Sequence, residues 1–191
     1  DDALLADLAR LTVISGGCAC CTKRDEFLAC LRDLSDTRLR AGDAADFDSI
    51  VLETSGLADP AAIVAAIGND PMLVHHVVVD RVIVTVDAVY GLRSLQTDAL
   101  ARSQVTHADH LIVTKADGID RQTVATLCAT LHALNPGAGI TGAVMGVAVD
   151  LPDFASVPPF PLPELTGAGD ARPVIAVDVD IDPSVDWTVF S

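Results

Sequence analysis

Residues 111–134 read LIVTKADGIDRQTVATLCATLHAL, an apolar run followed by a polar loop and then by a helical pattern. The run from Leu111 to Thr114 is typical of a short buried strand. Apolar residues then recur at helical spacing from Asp120 to Leu134. The stretch therefore predicts a strand, a loop and a helix, which together form the repeating unit of an α/β fold.

The same alternation continues along the rest of the chain. Strands are predicted at Leu11 to Ile14, Ser49 to Leu52 and Arg81 to Val86. Helices are predicted at Thr22 to Leu39, Ala61 to Ile67 and Ala99 to Val105. Strands and helices in alternation predict a doubly wound α/β fold with a mainly parallel sheet.

Composition divides the chain into three parts. Residues 1–149 carry the α/β pattern and are expected to form one domain. Residues 150–173 are rich in proline and glycine and are interpreted as a linker. Residues 174–191 begin with the alternating run Val174 to Ile181, which predicts the first strand of a further unit.

Charge and cysteine content limit the possible partners. The formal net charge is −15, from 12 basic and 27 acidic residues, which argues against nucleic acid and anionic membrane surfaces. The apolar stretches, such as Val77 to Val89, are interrupted and fall short of the roughly 20 residues that span a bilayer. Five cysteines are an odd number that fits a secreted disulfide framework poorly. A cytoplasmic protein is therefore expected.

Three of the cysteines, Cys18, Cys20 and Cys21, lie within four positions. Thiolates select zinc and similar ions over magnesium, so the cluster predicts a zinc or cobalt site. Three sulfur ligands leave a tetrahedral ion one ligand short, which suits a site that transfers its metal. The other interpretations are small buried cysteines that pack a glycine-rich turn, and a thiol-redox pair of Cys18 with Cys21.

A polar segment follows the second predicted strand. Glu53 ends the second strand, with Gly56 three residues later, at the sheet edge where α/β folds bind ligands. In nucleotide hydrolases an acid here serves Mg²⁺ or its water shell, and a glycine amide meets the γ-phosphate. A solvated glutamate at a strand end is the simpler interpretation. Asp59 precedes Pro60 and is interpreted as a structural helix cap.

The segment Thr114-Lys115-Ala116-Asp117 is similar to the Asn-Lys-x-Asp element by which G proteins read guanine. A carboxylate accepts hydrogen bonds from both the ring N–H and the exocyclic amine of guanine, which adenine cannot match. The Lys115 stem would cover the face of the base. These residues predict a guanine-binding loop at Thr114, Lys115 and Asp117.

In their order along the chain, the motifs resemble the CobW-like branch of the metal-handling P-loop GTPases. The matching segments are Gly17 to Cys21, Glu53 to Pro60, Val86 to Ala88 and Gln104 to Asp117. The resemblance implies a P-loop GTPase sheet followed by the start of a small α+β domain. It also implies a metallochaperone that hydrolyses GTP with Mg²⁺, binds zinc or cobalt and delivers it to a metal-requiring client protein or a cobalamin-synthesis enzyme.

The resemblance also assigns roles to residues. It implies that Cys18, Cys20 and Cys21 are the metal ligands. Glu53, as the catalytic acid, and Gly56 correspond to the magnesium and γ-phosphate element. Thr114, Lys115 and Asp117 correspond to the guanine-binding element, although Thr114 stands where the family has asparagine.

One family motif has no counterpart, because no Gly-x-x-x-x-Gly-Lys-Ser/Thr sequence occurs in the chain. Its backbone amides, lysine and hydroxyl cradle the phosphates and Mg²⁺. We therefore expect the strand, loop and helix that carry it to lie upstream of residue 1, and GTPase activity only in the intact parent. The competing interpretations are a nickel-insertion GTPase and a nucleotide-independent zinc-binding or thiol-redox module. Oligomeric state is not predicted.

Overall fold

The computed structural model of the protein describes residues 14, 24–42 and 47–165. Cys18, Cys20 and Cys21 lie outside the described residues. So do the strand predicted at Leu11 to Ile14, apart from Ile14, and the strand predicted at Val174 to Ile181.

A four-stranded sheet forms the centre of the described region. Its strands, in spatial order, are β1 (Ile83–Asp87), β2 (His110–Thr114), β3 (Gly139–Val144) and β4 (Val147–Val149). The first three run parallel, and β4 returns antiparallel to β3. The predicted α/β fold with a mainly parallel sheet is confirmed, although β3 and β4 were not predicted.

The described residues also form five helices. They are α1 (Arg24–Ala41), α2 (Pro60–Gly68), α3 (Gly91–Thr97), α4 (Ala99–Thr106) and α5 (Arg121–Leu134). Helices α3 and α4 join β1 to β2, and α5 joins β2 to β3, as parallel strands require. Four of the five were predicted, and α3 was missed. Within the described ranges, no helix has both the length and the apolar character needed to cross a membrane.

Aspartate side chains begin three of these helices. Asp59 accepts a hydrogen bond from the Ala61 amide at 3.1 Å, ahead of α2. Asp98 and Asp120 start α4 and α5 in the same way, at 2.8 Å and 2.9 Å. Such caps satisfy amide groups that have no partner inside the helix. The structural role predicted for Asp59 is confirmed.

The main hydrophobic core lies between the sheet and helices α3 to α5. Its most completely buried members include Leu95, Leu111, Val113, Leu127 and Leu131. Burying a side chain of this kind contributes about 1.5–3 kcal/mol. This core fixes the strands whose carboxyl ends carry the predicted guanine-binding loop.

A second core joins α1 to α2. Phe27, Leu28 and Leu31 from α1 pack with Ile63 and with other apolar side chains of the α2 region. Those partners are Ala58, Ala66, Ile67 and Leu73. The side chain of Ile14 also packs against this group. Helix α1 and the segment from Ala58 to Leu73 therefore form one packed unit.

The strand predicted at Ser49 to Leu52 is wrong. Residues 49–52 have neither strand nor helix structure. Their apolar side chains are exposed, by 40% for Ile50, 84% for Val51 and 41% for Leu52. A strand exists only where a neighbour pairs with it, and this segment pairs with none of the four described strands. An apolar run in the sequence does not indicate whether a neighbouring strand is available to pair with it.

Residues 151–165, which the sequence analysis assigned to a linker, have neither helix nor strand structure. Leu151, Phe154 and Leu162 nevertheless pack against the main core. The Phe160 amide also donates a hydrogen bond to Thr130 Oγ1 at 2.8 Å. This part of the segment lies along the domain, and the predicted domain boundaries stay a prediction.

An ion pair fastens α1 to the turn after α2. The Arg32 guanidinium donates from Nε to Asp70 Oδ2 at 3.1 Å, and the Asp70 side chain is only 3% exposed. Asp70 Oδ1 accepts from the amides of Met72 and Leu73, each at 3.0 Å. The hydrogen bond from Arg32 and those from the backbone outweigh burial and lower the Asp70 pKa to about 2.

We predict that Asp70→Asn lowers the melting temperature by several degrees at neutral pH. Because the folded-state pKa lies below the unfolded value, this contribution is present above about pH 4. It is lost as pH falls through about 2. The difference from wild type should therefore shrink in acid, as measured by thermal unfolding monitored by circular dichroism.

The matched control is Asp48→Asn, because Asp48 pairs with Arg38 while its side chain is 93% exposed. An exposed pair of this kind contributes little, so the melting temperature should change by less than about 1 °C. Equal effects of the two substitutions would contradict the structural importance of the Arg32–Asp70 pair.

Candidate functional site

The candidate site lies at the carboxyl ends of β1 and β2. The two strands are in register so that Asp87, the last residue of β1, lies opposite Thr114, the last residue of β2. The Ala88 amide donates to the Thr114 carbonyl at 2.9 Å and continues the pairing one step beyond β1. The loops that follow the two strands therefore start side by side, at the edge where parallel sheets bind ligands.

The predicted guanine-binding residues form a tight turn after β2. Lys115 has a positive φ of 56°, in the left-handed region. A side chain in that region costs about 1–2 kcal/mol, so the surrounding contacts must hold it there. Residues Ala116–Gly118 then form a short 3₁₀ turn, closed by a hydrogen bond from the Gly118 amide to the Lys115 carbonyl at 3.0 Å.

Asp117 projects from this turn into solvent. None of the described residues donates a hydrogen bond to its carboxylate, which leaves both oxygens available to a ligand. Thr114, by contrast, uses its hydroxyl within the fold and donates to the Val86 carbonyl at 3.4 Å. The structure thus brings Thr114, Lys115 and Asp117 together, with Asp117 as the free acceptor.

An ion pair joins the two strand ends. Lys115 Nζ lies 2.7 Å from Asp87 Oδ2. The other carboxylate oxygen, Oδ1, accepts from the amides of Val89 at 2.8 Å and Tyr90 at 3.2 Å. Burial alone would raise the pKa of Asp87, but the hydrogen bonds from Lys115 and the two amides outweigh it and lower that pKa. The hydrogen bond to Asp87 raises the pKa of Lys115 in turn.

Glu53 and Gly56 lie in a different loop, ahead of α2, and both are exposed. Gln104 on α4 anchors this loop, because its amide nitrogen donates to the carbonyls of Gly56 and Ala58, each at 2.9 Å. The Ala58 amide also donates to the Ser55 carbonyl at 3.0 Å, closing the turn. The loop that holds Glu53 and Gly56 is therefore fixed to α4.

The described residues contain no cluster of three or more histidine, cysteine or acidic side chains suited to a metal ion. The predicted ligands Cys18, Cys20 and Cys21 lie outside those residues. Cys128 is fully buried in the main core, and burial raises the pKa of its thiol to about 11. Cys128 is therefore a core residue.

Comparison with known proteins identifies the family. Residues 1–141 match the family model for the CobW/HypB/UreG nucleotide-binding domain. The chain belongs to the CobW/HypB/UreG family. The crystal structure of the Zn(II)-bound YjiA GTPase from Escherichia coli is similar to this one, with a TM-score of 0.53 and 32% sequence identity. That match covers 63% of this chain and 36% of the other.

Curated proteins are also similar to this chain in sequence. The zinc chaperone YjiA of Escherichia coli strain K12 is 36% identical over 118 residues, which is 61% of this chain and 36% of that protein. The zinc chaperone CobW of Pseudomonas aeruginosa is 30% identical over 151 residues, or 68% and 38% of the two chains.

A third relative is the zinc-regulated GTPase metalloprotein activator 1 of Schizosaccharomyces pombe. It is 28% identical over 142 residues, which is 74% of this chain and 33% of that protein. The chain therefore spans about a third of the length of the curated relatives that it matches.

Two residues of this CobW/HypB/UreG domain have contacts that the sequence analysis did not assign. Asp87 and Gln104 both lie within the motifs that carry the family resemblance, but neither had a role. Asp87 holds Lys115, which is 28 positions further along the chain. Gln104 holds Gly56, which is 48 positions earlier. Only their location in matching motifs could have drawn attention to them, since both contacts depend on the fold.

We predict that Gln104→Leu loosens the loop that holds Glu53 and Gly56. Each of the two lost hydrogen bonds contributes about 0.5–1.5 kcal/mol. The loop should then open roughly 5–150 times more often, and the Ala58 amide should exchange with deuterium faster by that factor. Gln122→Leu, at an exposed position on α5, is the matched control and should leave that exchange rate unchanged. Equal rates in the two variants would contradict the anchoring role of Gln104.

Proposed function

We propose that the protein is a GTP-hydrolysing metallochaperone that binds zinc at Cys18, Cys20 and Cys21 and delivers it to a client protein. The observation that carries the proposal is the turn formed by Lys115 and Asp117. It lies at the ligand-binding edge of a parallel sheet, in a chain of the CobW/HypB/UreG family. Relatives named zinc chaperones or zinc-regulated GTPases support the same assignment.

The turn after β2 fits a guanine base. Both oxygens of the exposed Asp117 carboxylate are free to accept hydrogen bonds from the ring N–H and the exocyclic amine. The apolar stem of Lys115 can lie against the base while its ammonium group stays with Asp87. Thr114 offers no amide to the base, and its hydroxyl is already directed to Val86. Asp117 therefore supplies most of the preference for guanine.

Glu53 and Gly56 are proposed to serve the phosphate end of the nucleotide. Carboxylate oxygen is a ligand that Mg²⁺ prefers, and the Glu53 carboxylate is exposed without a partner among the described residues. When bound, Mg²⁺ neutralises the charge that develops on the phosphates. Glu53 would hold the ion or a water molecule bound to it, while the Gly56 amide would donate to the γ-phosphate. Gln104 keeps this loop in place for both tasks.

Zinc is the proposed cargo, because the three thiolates suit a soft or borderline ion. Cobalt suits the same ligands and is the alternative cargo. A metal-requiring client protein or a cobalamin-synthesis enzyme, in the cytoplasm, would receive the ion. Transfer requires that a client thiolate or imidazole can reach the fourth position, which three protein ligands leave open.

The nucleotide is proposed to control the metal through the packed unit of α1 and α2. Helix α1 starts at Arg24, three residues after Cys21. It packs against Ala58, which is 3% exposed and adjoins the loop of Glu53 and Gly56. The Arg32–Asp70 pair fastens the same two segments. Movement of the loop on loss of the γ-phosphate would therefore carry α1 and alter the cysteine site.

We predict that Asp117→Asn in the full-length gene product weakens GTP binding by at least about 100-fold. The substitution replaces an acceptor with N–H donors that face the donors of guanine, and hydrogen bonds to a charged group contribute about 1.5–3 kcal/mol each. Xanthosine triphosphate should bind this variant better than wild type, because its 2-oxo group accepts from the asparagine amide. Fluorescence titration with labelled nucleotides measures both affinities.

Asp120→Asn is the matched control for this substitution, since Asp120 caps α5 only three positions away and asparagine caps helices equally well. It should bind GTP like wild type. Unchanged GTP binding by the Asp117 variant would refute the guanine-binding assignment. A wild-type protein that binds zinc but no nucleotide would instead support the nucleotide-independent zinc-binding module.

A further inference from the structure

We propose that Asp87 is a positioning residue for guanine binding, because it holds the Lys115 side chain in the orientation that covers the base. The proposal rests on the proposed function, since it concerns the same nucleotide site. It assigns a role to a residue at the end of β1, which lies outside the guanine-binding turn itself.

Hydrogen bonds hold the Asp87 carboxylate in place from more than one direction. Oδ1 accepts from the amides of Val89 and Tyr90. Oδ2 is left to face Lys115 Nζ at 2.7 Å. Because the backbone fixes one oxygen, the carboxylate cannot turn to follow a mobile lysine. The Lys115 side chain must instead adopt the conformation that reaches the carboxylate, so Asp87 sets the position of the ammonium group.

Asp87 is itself attached to a rigid part of the fold. The residues on either side of it, Val86 and Ala88, are 8% and 2% exposed and belong to the main core. The Ala88 amide is bonded to the Thr114 carbonyl, directly before Lys115. The distance between the carboxylate and the start of the lysine side chain is therefore set by paired strands and does not depend on a loose loop.

Both ends of the Lys115 side chain are constrained in consequence. Its backbone is held in the left-handed region by the turn that Gly118 closes. Its ammonium group is held by Asp87, although 66% of the side chain is exposed to solvent. A free lysine would lose much rotamer freedom on ordering against a base. The ion pair imposes that order before the nucleotide binds, which favours binding by preorganisation.

The experiment compares Asp87→Asn with wild type in the full-length gene product. Asparagine keeps an oxygen for the Val89 and Tyr90 amides but removes the negative charge that holds Lys115. We expect the dissociation constants for GTP and GDP to rise together by about fivefold, as for the loss of one preorganised side chain. In steady-state hydrolysis the effect should fall on KM, with kcat lowered less than twofold.

Asp98→Asn is the matched control, because Asp98 caps the neighbouring helix α4 through Leu100 and is not paired with a lysine in the described region. Its nucleotide affinity should equal that of wild type. The decisive comparison repeats Asp87→Asn in a Lys115→Met background. There the substitution should change affinity by less than twofold, because the side chain that Asp87 positions has lost its charge.

Two results would overturn the proposal. One is an Asp87→Asn variant that binds GTP and GDP within twofold of wild type. The other is a fivefold loss of affinity that persists in the Lys115→Met background, since that loss could not act through Lys115. A wild-type protein that binds no guanine nucleotide would refute the proposed function itself, which separates failure of that function from failure of the role of Asp87.

Discussion

The parallel pairing of β1 with β2 is the constraint on which the site depends. Its register sets Asp87 opposite Thr114, so the polar residues after each strand meet at one edge of the sheet. Helix α5 and the main core hold both strands in that register. Lys115 directly follows Thr114, the last residue of β2, and Asp117 lies in the turn that comes next. The register of the strands therefore sets where this turn begins. A shift by one residue would move Lys115 away from Asp87.

The second core is the physical basis of the proposed coupling between nucleotide and metal. Helix α1 follows the cysteine motif along the chain, but its apolar face packs on the segment that follows Glu53. The buried carboxylate of Asp70 accepts hydrogen bonds from Arg32 and from two backbone amides, and so joins α1 to the turn after α2. Two segments that are far apart in sequence are thereby joined near the proposed γ-phosphate loop. The proposed coupling of nucleotide state to metal affinity would act through this packing, without direct contact between the ligands.

Sequence reasoning predicted four of the five described helices and strands β1 and β2, but it missed helix α3, strands β3 and β4, and the contacts between distant residues. Helix α5 was predicted from its apolar spacing, whereas residues 50–52 have the composition of a buried strand and are exposed. Strand β3 was missed because glycines interrupt it. Gly142 is needed there, since a Cβ atom would lie 2.8 Å from the Val149 carbonyl oxygen of the paired strand. The contact of Asp87 with Lys115 was likewise invisible, because strand register is a non-local property.

The most direct test of the account is the zinc affinity of the full-length gene product, measured by competition with a chromophoric chelator. It is measured once with a non-hydrolysable GTP analogue and once with GDP, with Mg²⁺ in both. The account predicts that the two affinities differ by at least about fivefold, as expected for a coupling free energy of 1–3 kcal/mol. A variant with serine in place of Cys18, Cys20 and Cys21 should lose this binding, whereas Cys30→Ser should retain it. Equal zinc affinities in the two nucleotide states would contradict the coupling of nucleotide to metal.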